Sequence, residues 1–171
     1  ASGTMQVIKS GPKLLKPMYA LFTNNNFLFP ESGEHVPFTI SNKSYMNDEG
    51  LAEVYWERTF YFPGTTRKFN ATMTIDLERK VVKDYLGDPA IFYSDLQFSV
   101  TQDGFLLIRS SEQRVIIGRH EFGLPRVFNG RVTVTEGYDD VKNQYRIHVS
   151  IFNDLIGRMM LYAGHFTPST R

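Results

Sequence analysis

Apolar residues occupy every second position in a series of short segments between Leu51 and Phe166. A period of two is typical of β-strands that have one buried face and one face in water. Gly, Asp, Asn and Pro separate the segments, and these residues favour turns. A meander of about eight to ten strands in sequence order predicts an all-β fold, an antiparallel up-and-down β-barrel of the calycin or lipocalin-like kind. A sandwich of the same strands is the alternative.

The segments 51–62 and 68–77 show the alternation most clearly. In the second segment the face assigned to the interior is entirely apolar. The corresponding face of the first segment carries Ala52, Val54, Trp56, Arg58, Phe60 and Phe62. Arg58 is therefore a charged residue on a face that the alternation assigns to the interior. Glu136, which follows Val134 at a spacing of two, is a second case.

The remaining regions give weaker signals. Residues before 45 are irregular and rich in proline, and they predict only a short N-terminal helix from Pro17 towards Phe22 and a strand around residues 36–41. Residues 78 and 79 are expected to turn into a strand that ends near Gly87, although residues 78–86 also fit helical spacing. We expect residues 1–4 to be a remnant of an expression tag and residues 5–171 to form one barrel domain.

Composition favours a soluble protein. The chain has 42% hydrophobic and 14% aromatic residues, with a mean hydropathy of −0.28. The longest strictly apolar run, residues 159–163, is far shorter than the ~20 residues that a membrane-spanning helix needs. The chain contains no cysteine and shows no secretory signal pattern. We therefore expect a cytoplasmic protein without a membrane span.

Charge and motifs exclude several classes of function. Nineteen basic and 18 acidic residues give a net charge of +1 without a basic stripe, which argues against a nucleic-acid partner. The four histidines lack the spacing of metal ligands, and no phosphate-binding glycine loop or nucleophile elbow occurs. We expect no metal, no cofactor and no assigned catalytic residue.

Arg58 and Glu136 are the two charged residues at positions that the alternation assigns to the interior. A buried, unpaired charge costs several kcal/mol, so each needs a partner or a ligand. One explanation is an internal salt bridge, or charged ends that reach water at the barrel mouth with Arg58 stacked on Trp56. The alternative makes Arg58 the anchor for a carboxylate or another polar head group inside an apolar cavity.

The order and spacing of several residues resemble a family of bacterial domains catalogued as domain of unknown function 4166. The resemblance extends from Pro17 to Pro168 and depends on Trp56, Arg58, Phe60, Gly87, Gly123, Leu124, Pro125, Glu136, Gly157, Tyr162 and Gly164. One departure is Asn153, where the family pattern implies a proline. The resemblance implies that such domains follow a saccharopine-dehydrogenase-like nucleotide-binding domain. That domain is absent from this sequence, so no cofactor is implied, and the family has no established activity.

Three hypotheses for the function follow, and the first is a non-enzymatic domain that binds a small apolar molecule, with or without an acidic head, inside the barrel. Its ligand-binding residues are Arg58, Trp56, Phe60, Glu136 and Tyr162, and its apolar lining is Phe69, Met73, Phe98, Ile147 and Met159. The second is a structural or interaction module that packs against a partner, with Tyr55, Tyr61 and Phe152 as a patch for a homodimer or a neighbouring domain. The third is an enzyme that uses Glu136 or a histidine as acid or base.

Overall fold

Eleven β-strands dominate the computed structural model, which describes residues 1–48, 50–125 and 128–169. A turn of 3-10 helix at Lys13–Leu15 leads into a short α-helix, α1 (Lys16–Asn24). The strands are β1 (Ser2–Ser10), β2 (Gly33–Met46), β3 (Ala52–Phe62), β4 (Thr65–Asp76), β5 (Val81–Gly87), β6 (Ala90–Val100), β7 (Leu106–Ile117), β8 (His120–Gly123), β9 (Arg131–Asp139), β10 (Gln144–Asn153) and β11 (Gly157–Thr167). Residues 170 and 171, the end of the expected domain, lie outside the described residues.

Ten of these strands form a closed antiparallel ring. Strands β1 to β7 pair in sequence order, β7 pairs with β9, and β9, β10 and β11 return to β1. The ring confirms the predicted antiparallel barrel with a short N-terminal helix, and it excludes the sandwich. Strand β8 lies outside the ring, because it pairs with β7 alone.

Side chains complete the wall where the backbone pairing between β7 and β9 stops. That pairing covers only residues 106–109 of β7. Further along β7, the Ser110 hydroxyl accepts a hydrogen bond from the Val132 amide at 2.9 Å. The Gln113 side chain donates to the Gly130 carbonyl at 2.6 Å and accepts from the Gly130 amide at 2.9 Å. The amide group of Gln113 therefore replaces one pair of ladder hydrogen bonds.

Strand β1 is the main element that the sequence pattern did not predict. It pairs with β11 and β2, and it includes Ser2 and its neighbours, which the sequence analysis set aside. Its register shifts between Met5 and Val7, so the two buried positions, Met5 and Ile8, are three residues apart. A β-bulge of this kind breaks the period of two on which the prediction depends.

Two other regions can be compared with their predictions. Residues 81–87 form a strand, so the helical alternative for that region is wrong. The predicted helix is present, with Pro17 in its first turn, where a missing amide hydrogen costs nothing. Strand β2 is longer than predicted because its second half, from Ser41 to Met46, is mostly polar and exposed and carries no apolar alternation.

The helix and the segment after it close one end of the barrel with aromatic rings. Phe27 packs edge-on against Phe69 at 5.2 Å between ring centroids and lies 5.5 Å from Phe92. Phe29 lies 5.3 Å from Phe60 and 5.6 Å from Phe62. We call this end, formed by α1 and residues 25–32, the capped end. Its rings fill the interior there.

The opposite end is open. Residues that face the interior at this end remain exposed: Met46 by 64%, Ile75 by 58%, Phe98 by 46% and Val100 by 70%. At the capped end, by contrast, Phe60 is fully buried. The barrel is therefore a cup, and we call its exposed side the open end.

Replacing Tyr19 by phenylalanine tests how the cap is held. The Tyr19 hydroxyl donates to the Met159 carbonyl at 2.5 Å and accepts from the Gly11 amide at 2.9 Å. Tyr19→Phe leaves both groups without their partner, so we expect a loss of about 1–3 kcal/mol in the free energy of unfolding, measured in urea. The control, Tyr61→Phe at an exposed position, should stay within about 0.5 kcal/mol. Equal losses in the two variants would contradict this role.

Candidate functional site

Arg58 faces the interior from β3, between Ile40 of β2 and Phe69 of β4. Its guanidinium carbon lies 5.5 Å from the centre of the Trp56 ring and 5.3 Å from that of Phe69. One guanidinium nitrogen, Nη1, donates to the Phe69 carbonyl at 3.4 Å. The expected stacking on Trp56 is therefore present. No carboxylate among the described residues forms an ion pair with Arg58, so the expected internal salt bridge is absent.

Glu136 faces the same interior from the opposite wall. Its strand, β9, is five strands from β3 in either direction around the ring. Burial raises the pKa of the Glu136 carboxyl, and the positive charge of Arg58 opposes that rise. The two charges therefore act on each other across the interior without contact.

Tyr162 lies deeper in the cup, on β11, and is 3% exposed. Its ring packs edge-on against Phe60 at 5.6 Å, and within the described part of the chain its hydroxyl has no hydrogen-bond partner. Burial raises the pKa of Tyr162, the nearby charge of Arg58 opposes the rise, and Asp84 and Glu136 add to it. The pKa of Tyr162 is thus influenced by three charged groups, Arg58, Asp84 and Glu136.

Asp84 is the residue of this site that the sequence analysis missed. It lies on β5 between Met73 and Ser94 and is 6% exposed. Its Oδ1 atom is buried without a hydrogen-bond partner among the described residues. Burial raises the pKa of Asp84 to about 7, with an opposing contribution from the charge of Arg58. The strand predicted to end near Gly87 places Asp84 on one face with Val82 and Leu86, and this was the signal that could have identified it.

The structure brings the five predicted residues to one interior, at different depths. Phe60 is fully buried beneath Tyr162, whereas Trp56 and Arg58 are half-buried towards the open end. Met73 and Phe98 of the expected lining lie nearer the open end, and Phe69 and Ile147 are buried. Together with Asp84, these residues form a cup with mainly apolar walls. We call Arg58, Asp84, Glu136 and Tyr162 the interior polar set.

The expected outer patch is not continuous. Tyr55 and Tyr61 lie on β3, whereas Phe152 lies on β10, four strands away around the ring. The Tyr55 hydroxyl donates to Asp88 at 2.9 Å and accepts from the Asn70 side chain at 2.7 Å. Alternation correctly places these residues outside, but it cannot tell how far apart two strands will lie once the sheet closes.

A groove of about 450 Å³ lies on the outer wall, between β9, β10 and β11. Its cation Arg146 stacks on Phe105 at 4.8 Å, and His165 is paired with Gln6 at 3.0 Å. No buried polar atom described there lacks a partner. The groove is therefore a weaker candidate than the cup.

Other classes of site are not found in the described ranges. No three histidine, aspartate or glutamate side chains in residues 1–48, 50–125 and 128–169 are grouped as a metal site requires. In the same ranges, no helix has the length and apolar character needed to cross a membrane.

Asp84→Asn tests the burial of this carboxyl. Folded Asp84 keeps its proton up to about pH 7, whereas an unfolded aspartate loses it near pH 3.9. The contribution of Asp84 to the stability of the unmodified protein therefore falls as pH rises from about 4 to 7, and the variant lacks that loss. We expect Asp84→Asn to be more stable than the unmodified protein by about 2–4 kcal/mol at pH 8 and similar to it at pH 4, by urea unfolding.

The matched control is Asp154→Asn, at an exposed ion pair with Arg131. Its stability relative to the unmodified protein should be the same at both pH values within about 0.5 kcal/mol. A stability difference for Asp84→Asn that does not change between pH 4 and pH 8 would show that Asp84 is not a buried acid.

Arg58→Met tests the charge of Arg58 separately from its packing. Methionine keeps an unbranched apolar stem but removes the positive charge that now lowers the pKa of Asp84. We expect the pKa of Asp84 to rise further above 7, measured by ¹³C NMR titration of labelled aspartate carboxyls. Arg131→Met, at the exposed end of β9, should leave the pKa of Asp84 unchanged. An unchanged pKa in Arg58→Met would contradict the coupling.

Comparison with known proteins places the chain in a family. The chain is 32% identical over 170 residues to a protein from Bacillus subtilis (strain 168) described as "Uncharacterized protein YndH", covering 99% of this chain and 83% of that protein. No solved structure matches. Asn153, where the resemblance implied proline, accepts hydrogen bonds from the amides of Leu155 and Ile156 and so forms the turn. The family model described as "Domain of unknown function (DUF4166)" matches residues 1–166, and the chain belongs to that family.

Proposed function

We propose that this protein is a non-enzymatic binding domain, used in the manner of a calycin-like barrel, whose open end takes up a small apolar molecule. The observation that carries the proposal is the exposure of large apolar side chains on an inner face. Ile75, Phe98 and Val100 face the interior and are 46–70% exposed. Burying one such side chain completely is favourable by about 1.5–3 kcal/mol. An apolar molecule that covers the open end would therefore bind with a favourable free energy.

The polar side chains inside the cup favour binding of a specific ligand over general adsorption of apolar molecules. Pockets for small molecules combine apolar walls with a few polar groups that fix orientation. Here the walls end at Arg58, which has no ion pair, and at Tyr162, whose hydroxyl has no partner among the described residues. A ligand with an apolar body and a polar head would satisfy both parts of the cup.

A second candidate, an interaction module for a partner or a neighbouring domain, is supported by β8. This strand projects from the ring, and both Phe122 on β8 and Ile117 before it are at least half exposed. A partner that adds a strand at that edge would cover them. Under this alternative the open cup would have no occupant of its own.

Titration with N-phenyl-1-naphthylamine, an uncharged apolar dye, tests the first candidate. Trp56 is the only tryptophan, so energy transfer from Trp56 to the bound dye reports occupancy of the cup. We expect saturable binding, weakened about five- to tenfold by Phe98→Ala, which removes part of the inner wall.

The control, Phe152→Ala, removes a phenylalanine of similar exposure, 40% against 46%, from the outer wall. It should bind the dye as the unmodified protein does. Absence of saturable binding at micromolar dye, or equal weakening in the two variants, would leave the interaction module as the better candidate.

A further inference from the structure

Asp84 is the most unusual member of the interior polar set, because a buried carboxyl normally has hydrogen-bond partners. Its Oδ1 atom has none in the described structure. The sheet neighbours of Asp84, Met73 and Ser94, carry no charge. Arg58 lies two strands away on β3, and Tyr162 and Glu136 face the same interior from β11 and β9. The charge of Arg58 acts on both Asp84 and Tyr162. Asp84 is 6% exposed, so a molecule in the cup that displaces the side chains covering this oxygen can give it the partner that the protein does not.

The charge of the interior limits what that molecule can be. Arg58 contributes one positive charge and ionised Glu136 one negative charge, so the interior is neutral only while Asp84 keeps its proton. A head group with a permanent positive charge would be repelled by Arg58. A head group that adds a negative charge while Asp84 is ionised would leave two uncompensated negative charges in a poorly hydrated space, which is strongly unfavourable.

We propose that the ligand is a long-chain monocarboxylic acid whose carboxyl group shares one proton with Asp84 while Arg58 faces the pair. This inference rests on the proposed function and adds the chemistry of the head group. Two carboxyl groups with one proton form a hydrogen bond in which one group donates and the other accepts, so the unpartnered oxygen of Asp84 gains a partner. The pair carries one negative charge, which faces Arg58, so the interior with ionised Glu136 has one uncompensated negative charge instead of two.

The proton balance gives the pH dependence of binding. Above about pH 7 the free acid and Asp84 are both ionised, so forming the complex takes one proton from the solvent. Below that pH Asp84 already carries the proton, and no net uptake is needed. Affinity for the acid should therefore be constant from about pH 5, above which the free acid is ionised, to about pH 7, and fall about tenfold for each pH unit above that.

Isothermal titration calorimetry with dodecanoic acid and dodecan-1-ol, at pH 6 and pH 8, tests this inference on the full chain. Buffers that differ in ionisation enthalpy count the protons taken up. For dodecanoic acid we expect uptake of one proton at pH 8 and none at pH 6. For dodecan-1-ol we expect saturable binding at both pH values with less than threefold change.

Asp84→Asn removes the titrating group and keeps the shape of the side chain. The variant should bind dodecanoic acid at pH 8 without proton uptake and about tenfold more tightly than the unmodified protein. The control is Glu57→Gln, which changes a carboxylate on the outer face of β3 that pairs with Lys68. It should behave as the unmodified protein does in every titration.

The outcomes separate the inference from the proposed function. If neither compound binds, the proposed function fails and the inference fails with it. If both compounds bind but the acid takes up no proton at pH 8, the cup is a binding site and the shared-proton inference is wrong. Proton uptake that persists in Asp84→Asn overturns the inference in the same way.

Discussion

A ring of ten strands encloses more space than the side chains of its own wall can fill, since eight strands are about the limit for a solid interior. At the capped end the protein fills this space with a plug of phenylalanine rings carried by α1 and residues 25–32. The open end has no such plug, and its apolar side chains stay exposed. The width of the ring and the one-sided plug together produce the cup, and every other feature of the interior depends on that asymmetry.

The plug also determines the electrostatics of the cup. Its rings reach Phe60, which packs against Tyr162. Burial dominates the pKa shifts of Tyr162 and of Asp84. Arg58 lies higher, half-buried against Trp56 and Phe69, and its charge reaches the floor without contact. The resulting arrangement, one cation facing two separated carboxyls, is poor for stability. Natural proteins accept such a loss of stability mainly at functional sites.

Alternation in the sequence was sufficient to predict the barrel and the inner face that carries Trp56 and Arg58. It failed at β1, where a bulge shifts the period. It predicted the strand that ends near Gly87, but Asp84 on that strand was not recognised as an inward-facing charge. It also could not show that Arg58 and Glu136 lie on opposite walls. That separation depends on how many strands close the ring and on the position of β8 outside it, and neither is encoded in a local pattern.

The replacement of a ladder pair by the Gln113 side chain has a mechanical consequence. Around most of the barrel, parting two strands means breaking a run of cooperative backbone hydrogen bonds. Between the second half of β7 and the start of β9, the described contacts are two side-chain links, from Ser110 and Gln113. Rotation of the Ser110 and Gln113 side chains is enough to break these links. We therefore expect the barrel to widen between β7 and β9 while the other strand pairs keep their register.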